Sequence, residues 1–154
     1  MNAAKKIITR IEADPKKKAA NAELSILRTA AYCRVSTDSS DQLESYKAQV
    51  AYYTDAIAKN PKWRFAGIYA DEGLSGTQAA KRDDFLRMIK DCEKGKIDYI
   101  ITKSVARFAR NTVDALKYVR KLKALGIGVY FEEQCLDSLK SESELALGIY
   151  SVLA

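Results

Sequence analysis

From Arg28 onward, short β-type runs alternate with segments in which apolar residues recur at intervals of three and four. No other feature restricts the fold as much. Strands separated by helical crossovers pair most readily as a parallel sheet with helices packed on its faces. Thr29 to Val35 (TAAYCRV) reads as the first strand, and the polar run Ser36-Thr37-Asp38-Ser39-Ser40 can start a helix. Leu43, Tyr46, Val50, Tyr53 and Ile57 then form an amphipathic stripe that Asn60-Pro61 ends. Arg64 to Tyr69 is a second strand, followed by a loop from Asp71 to Arg82 rich in small residues.

Phe85, Met88, Ile89 and Cys92 mark the next helix, with Gly95 just past its end as a cap. Ile97 to Ile101 is a short apolar third strand. Asn111, with Asp114 three residues on, opens a helix carrying Val113, Leu116, Val119, Leu122 and Leu125. Gly126 to Phe131 supplies a fourth strand, and Ser141 with Glu144 is a capping-box pattern for a last helix bearing Leu145, Ile149 and Val152. The expected fold is α/β: a mostly parallel central sheet of about four or five strands flanked by helices. That last helix stops at Ala154 in mid-pattern, as a fragment of a longer protein would. Ligands in such sheets bind at the carboxyl ends of the strands.

The 154 residues suffice for one domain with an ordinary core. Residues 1–27 lack a sustained apolar period and read as a flexible basic extension, leaving 28–154 as the folded domain. Of the net charge of +6, residues 1–28 carry +4, so bulk charge says little about the folded part. No segment approaches the roughly 20 apolar residues of a membrane span, and the N-terminus makes a poor secretory signal. The sequence therefore reads as cytoplasmic. Cys33, Cys92 and Cys135 are widely spaced and odd in number, which suits buried free thiols better than disulfides or a zinc site. The chain has no histidine, so Ser-His-Asp and Cys-His catalysis are excluded, along with most transition-metal sites.

Chemistry must then run on Ser, Arg, Lys, Tyr or carboxylates. In a strand Tyr32, Arg34 and Ser36 share one face. A guanidinium two residues from a serine favours its alkoxide and can hold a phosphate oxygen; equally, Ser36 can simply cap the helix behind it. Gly73-Leu74-Ser75-Gly76-Thr77 reads as a mobile or merely solvated loop. Arg82 stands directly before a helix, where the dipole disfavours a cation unless an anion binds. Arg107 and Arg110 are three apart, hence on one face of a helical turn, and also precede a helix start. Scattered surface arginines explain each singly; a convergent phosphate site explains the set. Gln49 on the first helix has nothing local to single it out.

Tyr32-Cys33-Arg34-Val35-Ser36-Thr37, Gly73-Leu74-Ser75-Gly76 with Arg82, and Arg107-Phe108-Ala109-Arg110-Asn111-Thr112 together resemble the resolvase/invertase serine recombinases. The wording is most like the large serine recombinases of conjugative transposons and phages, and the resemblance covers about residues 28–154. It implies a resolvase-like catalytic domain in which Ser36 attacks DNA, forms a 5′-phosphoserine bond and releases a 3′-hydroxyl. It also implies Arg34, Arg82, Arg107 and Arg110 as active-site arginines and Gln49 as a supporting residue. No metal or other cofactor is expected. The implied partners are double-stranded DNA and further copies of the chain, as a dimer and as a tetramer at synapsis, with the sequence-reading domains following the catalytic one.

Ala106 departs from the pattern: small family members carry Asp there, large ones often a small residue such as Ser. The general acid is therefore unassigned. Two alternatives stand beside the recombinase: a non-catalytic dimerisation or DNA-binding domain of the same fold, and a flavodoxin-like phosphate binder, for which no Gly-rich fingerprint is present.

Overall fold

In the computed structural model, residues 25–35, 39–73, 82–140 and 146 are described, without the side chains of 39–42. Nine elements occur among them: β1 (Leu27–Val35), α1 (Ser39–Lys59), β2 (Trp63–Glu72), α2 (Asp83–Glu93), β3 (Tyr99–Thr102), α3 (Val105–Phe108), α4 (Thr112–Ala124), β4 (Gly128–Phe131) and β5 (Leu136–Asp137). The sheet order is β2-β1-β3-β4-β5. The first four strands are parallel and the short β5 runs antiparallel to β4. The α/β expectation holds. The last helix, Leu145, Ile149 and Val152, and nearly all of the N-terminal extension lie outside the described residues.

The chain starts in the middle of the sheet, moves outward to β2, then returns past β1 to β3. Reversal of direction opens a crevice between the carboxyl ends of β1 and β3. Alternating residues of β1 serve two cores, as a strand with period two requires. Ala31 and Cys33 pack with Tyr53 and Ile57 of α1 and Ile101 of β3. Ala30 and Tyr32 face the larger cluster, built on Phe85, Met88, Ile89 and Cys92 of α2 and Ala115, Val119 and Leu122 of α4. Phe85 is its hub, with ring centroids 5.2 Å from Tyr32, 5.2 Å from Phe108 and 4.9 Å from Tyr118. These edge-on geometries add to what burial alone contributes.

Gly95 acts as the expected stop, whereas Gly126, expected to begin the fourth strand, instead ends a helix, and β4 starts at Gly128. Gly95 (φ 73°) and Gly126 (φ 77°) take the left-handed conformation that ends α2 and α4. In each case the glycine N–H and the next N–H close back onto the last turn: Gly95 to the Cys92 carbonyl, Lys96 to that of Asp91, Gly126 to that of Lys123, Ile127 to that of Leu122. Asn111 caps α4 by accepting from the Asp114 N–H at 2.9 Å.

Several expectations are corrected. Asp71 and Glu72 continue β2 rather than opening a loop. Leu43 and Tyr46 of the α1 stripe are exposed, because the buried face of α1 is confined to its later turns around Tyr53 and Ile57. Val113 is exposed because it lies on the face of α4 opposite buried Ala115, Val119 and Leu122, and Leu125 is exposed at the cap just past that helix. Cys33 and Cys92 are buried thiols, but Cys135 is exposed. β3 begins at Tyr99, leaving Ile97 buried before it and Asp98 free to grip Arg28 at the amino end of the sheet (Nε to Oδ2 2.8 Å, Nη2 to Oδ1 2.8 Å).

Two stability outcomes follow. Phe85→Ala should cost about 3–5 kcal/mol in urea denaturation, the range for emptying a sealed aromatic site. The Arg28 hydrogen bond holds the Asp98 carboxyl below its usual range. A depressed folded pKa stabilises above the unfolded value near about 4 and is lost as pH falls through the folded one. Asp98→Asn should therefore melt below wild type at pH 7, and the gap should close as pH drops below about 4 in a pH-resolved melting series.

Candidate active site

A cleft of about 930 Å³ opens at the carboxyl edge of the sheet, at the β1/β3 switch point. Arg34 and Val35 from the end of β1, Gln49, Tyr52 and Tyr53 from α1, Gly73 after β2, Lys103 and Arg107 after β3, and Glu132 and Glu133 after β4 all line it. One strand end, three connections that follow strands and one helix thus meet at one place. Arg34, Gln49 and Arg107 are the expected site residues that the fold brings together here. Ser36 directly follows Val35 but lies outside the described residues.

Gln49 is tied to the backbone beside the cleft. Its side-chain amide donates to the Arg34 carbonyl at 3.1 Å and to the Ser45 hydroxyl at 3.3 Å. Arg107 belongs to α3, a single turn capped by Ser104, whose hydroxyl accepts from the Arg107 N–H at 3.3 Å. That turn ends at Ala109, which is extended (φ −137°, ψ 151°), and Asn111 is extended as well. The break corrects the expectation that Arg107 and Arg110 share a helical face. Arg107 lines the cleft, whereas Arg110, also exposed, is not among its lining residues.

Arg82 is likewise not among the lining residues. Its guanidinium lies over the Phe85 ring, 3.7 Å from the centroid, and donates to the Phe108 carbonyl. The apparent mismatch of a cation before α2 has a cause that needs no bound anion. The first turn carries Asp83 and Asp84, and the helix is capped from β2 by Asp71. One Asp71 oxygen accepts from the Asp84 N–H at 3.0 Å; the other accepts from the Phe85 N–H at 3.0 Å and the Tyr32 hydroxyl at 2.9 Å. Asp84 answers by accepting from the Ala70 N–H at 3.1 Å on the outer edge of β2. Burial raises the Tyr32 hydroxyl to about 12, with the Arg82 guanidinium opposing and Asp71 reinforcing, so Tyr32 stays a donor at neutral pH.

Sequence reasoning missed Asp71, because a carboxylate in a run of small polar residues reads as a loop. It also missed the carboxylates of the cleft. Tyr52 donates to Glu132 at 2.6 Å, and Lys103 lies 3.9 Å from Glu133. Cys33 also borders the cleft, but burial, then the Glu132 carboxylate, push its thiol up to about 12. It remains protonated and is a poor nucleophile. Among the described residues no cluster could hold a metal ion, and no helix is long and apolar enough to cross a membrane.

Asp71→Asn replaces an acceptor oxygen with an N–H₂ facing donors that have no other partner. Chemical denaturation should show a loss of about 1–3 kcal/mol, the usual cost of a buried group left unsatisfied.

The family model described as the resolvase N-terminal domain matches residues 29–154. Among solved structures, the chain is similar to the N-terminal catalytic domain of TP901-1 integrase, at 24% identity and a TM-score of 0.61 over 82% of this chain and 93% of that one. It is also similar to a resolvase family site-specific recombinase from Streptococcus pneumoniae (27% identity, TM-score 0.59, 82% and 85% covered). A serine recombinase from Sulfolobus solfataricus shares the fold at 21% identity and a TM-score of 0.55, covering 82% and 80%. With a five-stranded sheet of this order, a polar cleft at its switch point and a family match over residues 29–154, the chain belongs to the resolvase N-terminal domain family, the catalytic domain of the serine recombinases.

Proposed function

We propose that the cleft is a phosphodiester site and that Ser36 is the residue that attacks there. The observation that carries this reading is the convergence of Arg34, Gln49 and Arg107 on one cleft whose β1 wall leads directly into Ser36. The Ser36 hydroxyl oxygen bonds to phosphorus, the bond from phosphorus to the 3′-oxygen breaks, and the serine's proton is balanced by one gained at that 3′-oxygen. DNA is then held as a 5′-phosphoserine, whose ester reacts in reverse with a 3′-hydroxyl to rejoin the strand. No external energy source is needed, since one phosphodiester replaces another.

The arginines act on charge. Attack concentrates negative charge on the non-bridging oxygens, and guanidinium groups placed beforehand favour that state over the ground state. In this reading Arg34 and Arg107, which both line the cleft, take this role. Arg82 and Arg110 join the site by family resemblance. Ala106 is exposed on α3 and offers no acid, so the protonation of the 3′-oxygen rests on another group. Arginine is a poor choice for it, since it stays protonated. The partners in this reading are cytoplasmic double-stranded DNA and further copies of the chain, paired as dimers and joined as a tetramer at synapsis.

The test is covalent trapping. Full-length protein incubated with a pool of duplexes of randomised sequence and then denatured should yield DNA linked to the Ser36 peptide, identified by mass spectrometry. Ser36→Ala should give none; cleavage and joining by that variant would refute the assignment. Arg107→Ala should slow trapping about 10²–10³-fold, the size of effect for losing one group that stabilises developing charge.

A further inference from the structure

The end of β1 is pinned at three carbonyls within four residues. The Thr102 hydroxyl donates to Tyr32 O at 3.0 Å, the Gln49 amide to Arg34 O at 3.1 Å, and the Gly73 N–H to Val35 O at 2.8 Å. The last is the most telling, because the Val35 carbonyl belongs to the peptide that joins Val35 to Ser36. The paired register runs Arg34 with Asp71 and Val35 with Glu72, so Gly73 makes one further rung just past the end of β2. Its sequence context suggested a mobile loop; its bond places it as an anchor.

The residue type matters at this rung. A Cβ built on Gly73 would lie 3.3 Å from Val35 O, tighter than ordinary contact, and 3.9 Å from Arg34 Nε, which is ordinary contact. The guanidinium could therefore stay where it is, and the carbonyl is the atom that must give. That carbonyl is backbone, so relieving the contact turns the Val35–Ser36 peptide or draws Gly73 away from it, and either change strains the bond between them. The left-handed conformation that often demands glycine is not the reason here, since Gly73 is not among the positive-φ residues.

We propose that Gly73 is a positioning residue for Ser36: it closes the final rung onto the peptide carrying the nucleophile, and its missing side chain leaves that peptide undisplaced. This rests on the reading of Ser36 as the attacking residue. Alignment of a nucleophile is steep in its effect, a misplacement of about 1 Å costing about 10²-fold, so a shift of a few tenths should cost several-fold to tenfold.

Two measurements test it on the full-length protein. In the wild type, a scalar coupling across the hydrogen bond between the Gly73 nitrogen and the Val35 carbonyl carbon should be detectable by NMR. In Gly73→Ala, covalent trapping on randomised duplexes should slow by about tenfold, with melting temperature and overall DNA affinity kept and the Ser36 amide resonance displaced. Absence of the coupling, trapping at the wild-type rate, or trapping lost only in step with the melting temperature would each overturn the positioning role. A wild type that forms no Ser36 adduct would instead overturn the nucleophile reading, and the positioning role with it.

Discussion

A carboxylate sealed at the end of an edge strand organises the functional end of this molecule. Asp71 accepts from two N–H groups at the start of α2 and from the Tyr32 hydroxyl of β1, so one side chain joins two strands and a helix. Helix starts leave N–H groups without partners, and a buried start must find acceptors. Here the acceptor comes from the preceding strand, not from a capping residue in the helix's own sequence; Arg82 at that position makes no side-chain cap. The direction of α2, the seat of Phe85 under Tyr32, and the place where Arg82 leaves the backbone all depend on this contact.

The cleft owes its location to topology. A parallel sheet that begins in the middle and winds both ways must open where the winding reverses. β1 and β3 flank that opening, and their ends carry Arg34 and, one short turn on, Arg107. The electrostatic character is mixed. Lys103 is near Glu133, and Glu132 is held by Tyr52, so the wall formed after β4 is acidic while the β1 and β3 walls are basic. The basic side is also where Val35 hands the chain to Ser36. The backbone on that side is fixed by hydrogen bonds from three different elements, a rigidity suited to holding a nucleophile within the small tolerance that in-line attack allows.

Arg82 shows a different solution for a charged side chain. Its guanidinium spreads over Phe85 and satisfies the Phe108 carbonyl, uses that suit its planar, weakly hydrated shape. Arg107 and Arg110 have been separated by the break at Ala109, so the two differ in role despite their spacing in sequence.

The sequence alone determined what depends on near neighbours. Strand and helix alternation, the apolar face of α2, the glycine stop at Gly95 and the Asn111 cap are set by periodicity and backbone preference over a few residues, and among the described residues they are found where expected. The candidate residues Arg34, Gln49 and Arg107 were also legible there, through their match to a family pattern. Tertiary structure alone decided the strand order, which is a matter of contacts between residues far apart in the chain. It buried Asp71 and left Leu43 and Tyr46 exposed, since an amphipathic stripe cannot tell how far its neighbour extends. It also divided Arg107 from Arg110 at extended Ala109, and tied Gly73, expected in a mobile or merely solvated loop, to the Val35 carbonyl, a partner from a strand far away in the chain.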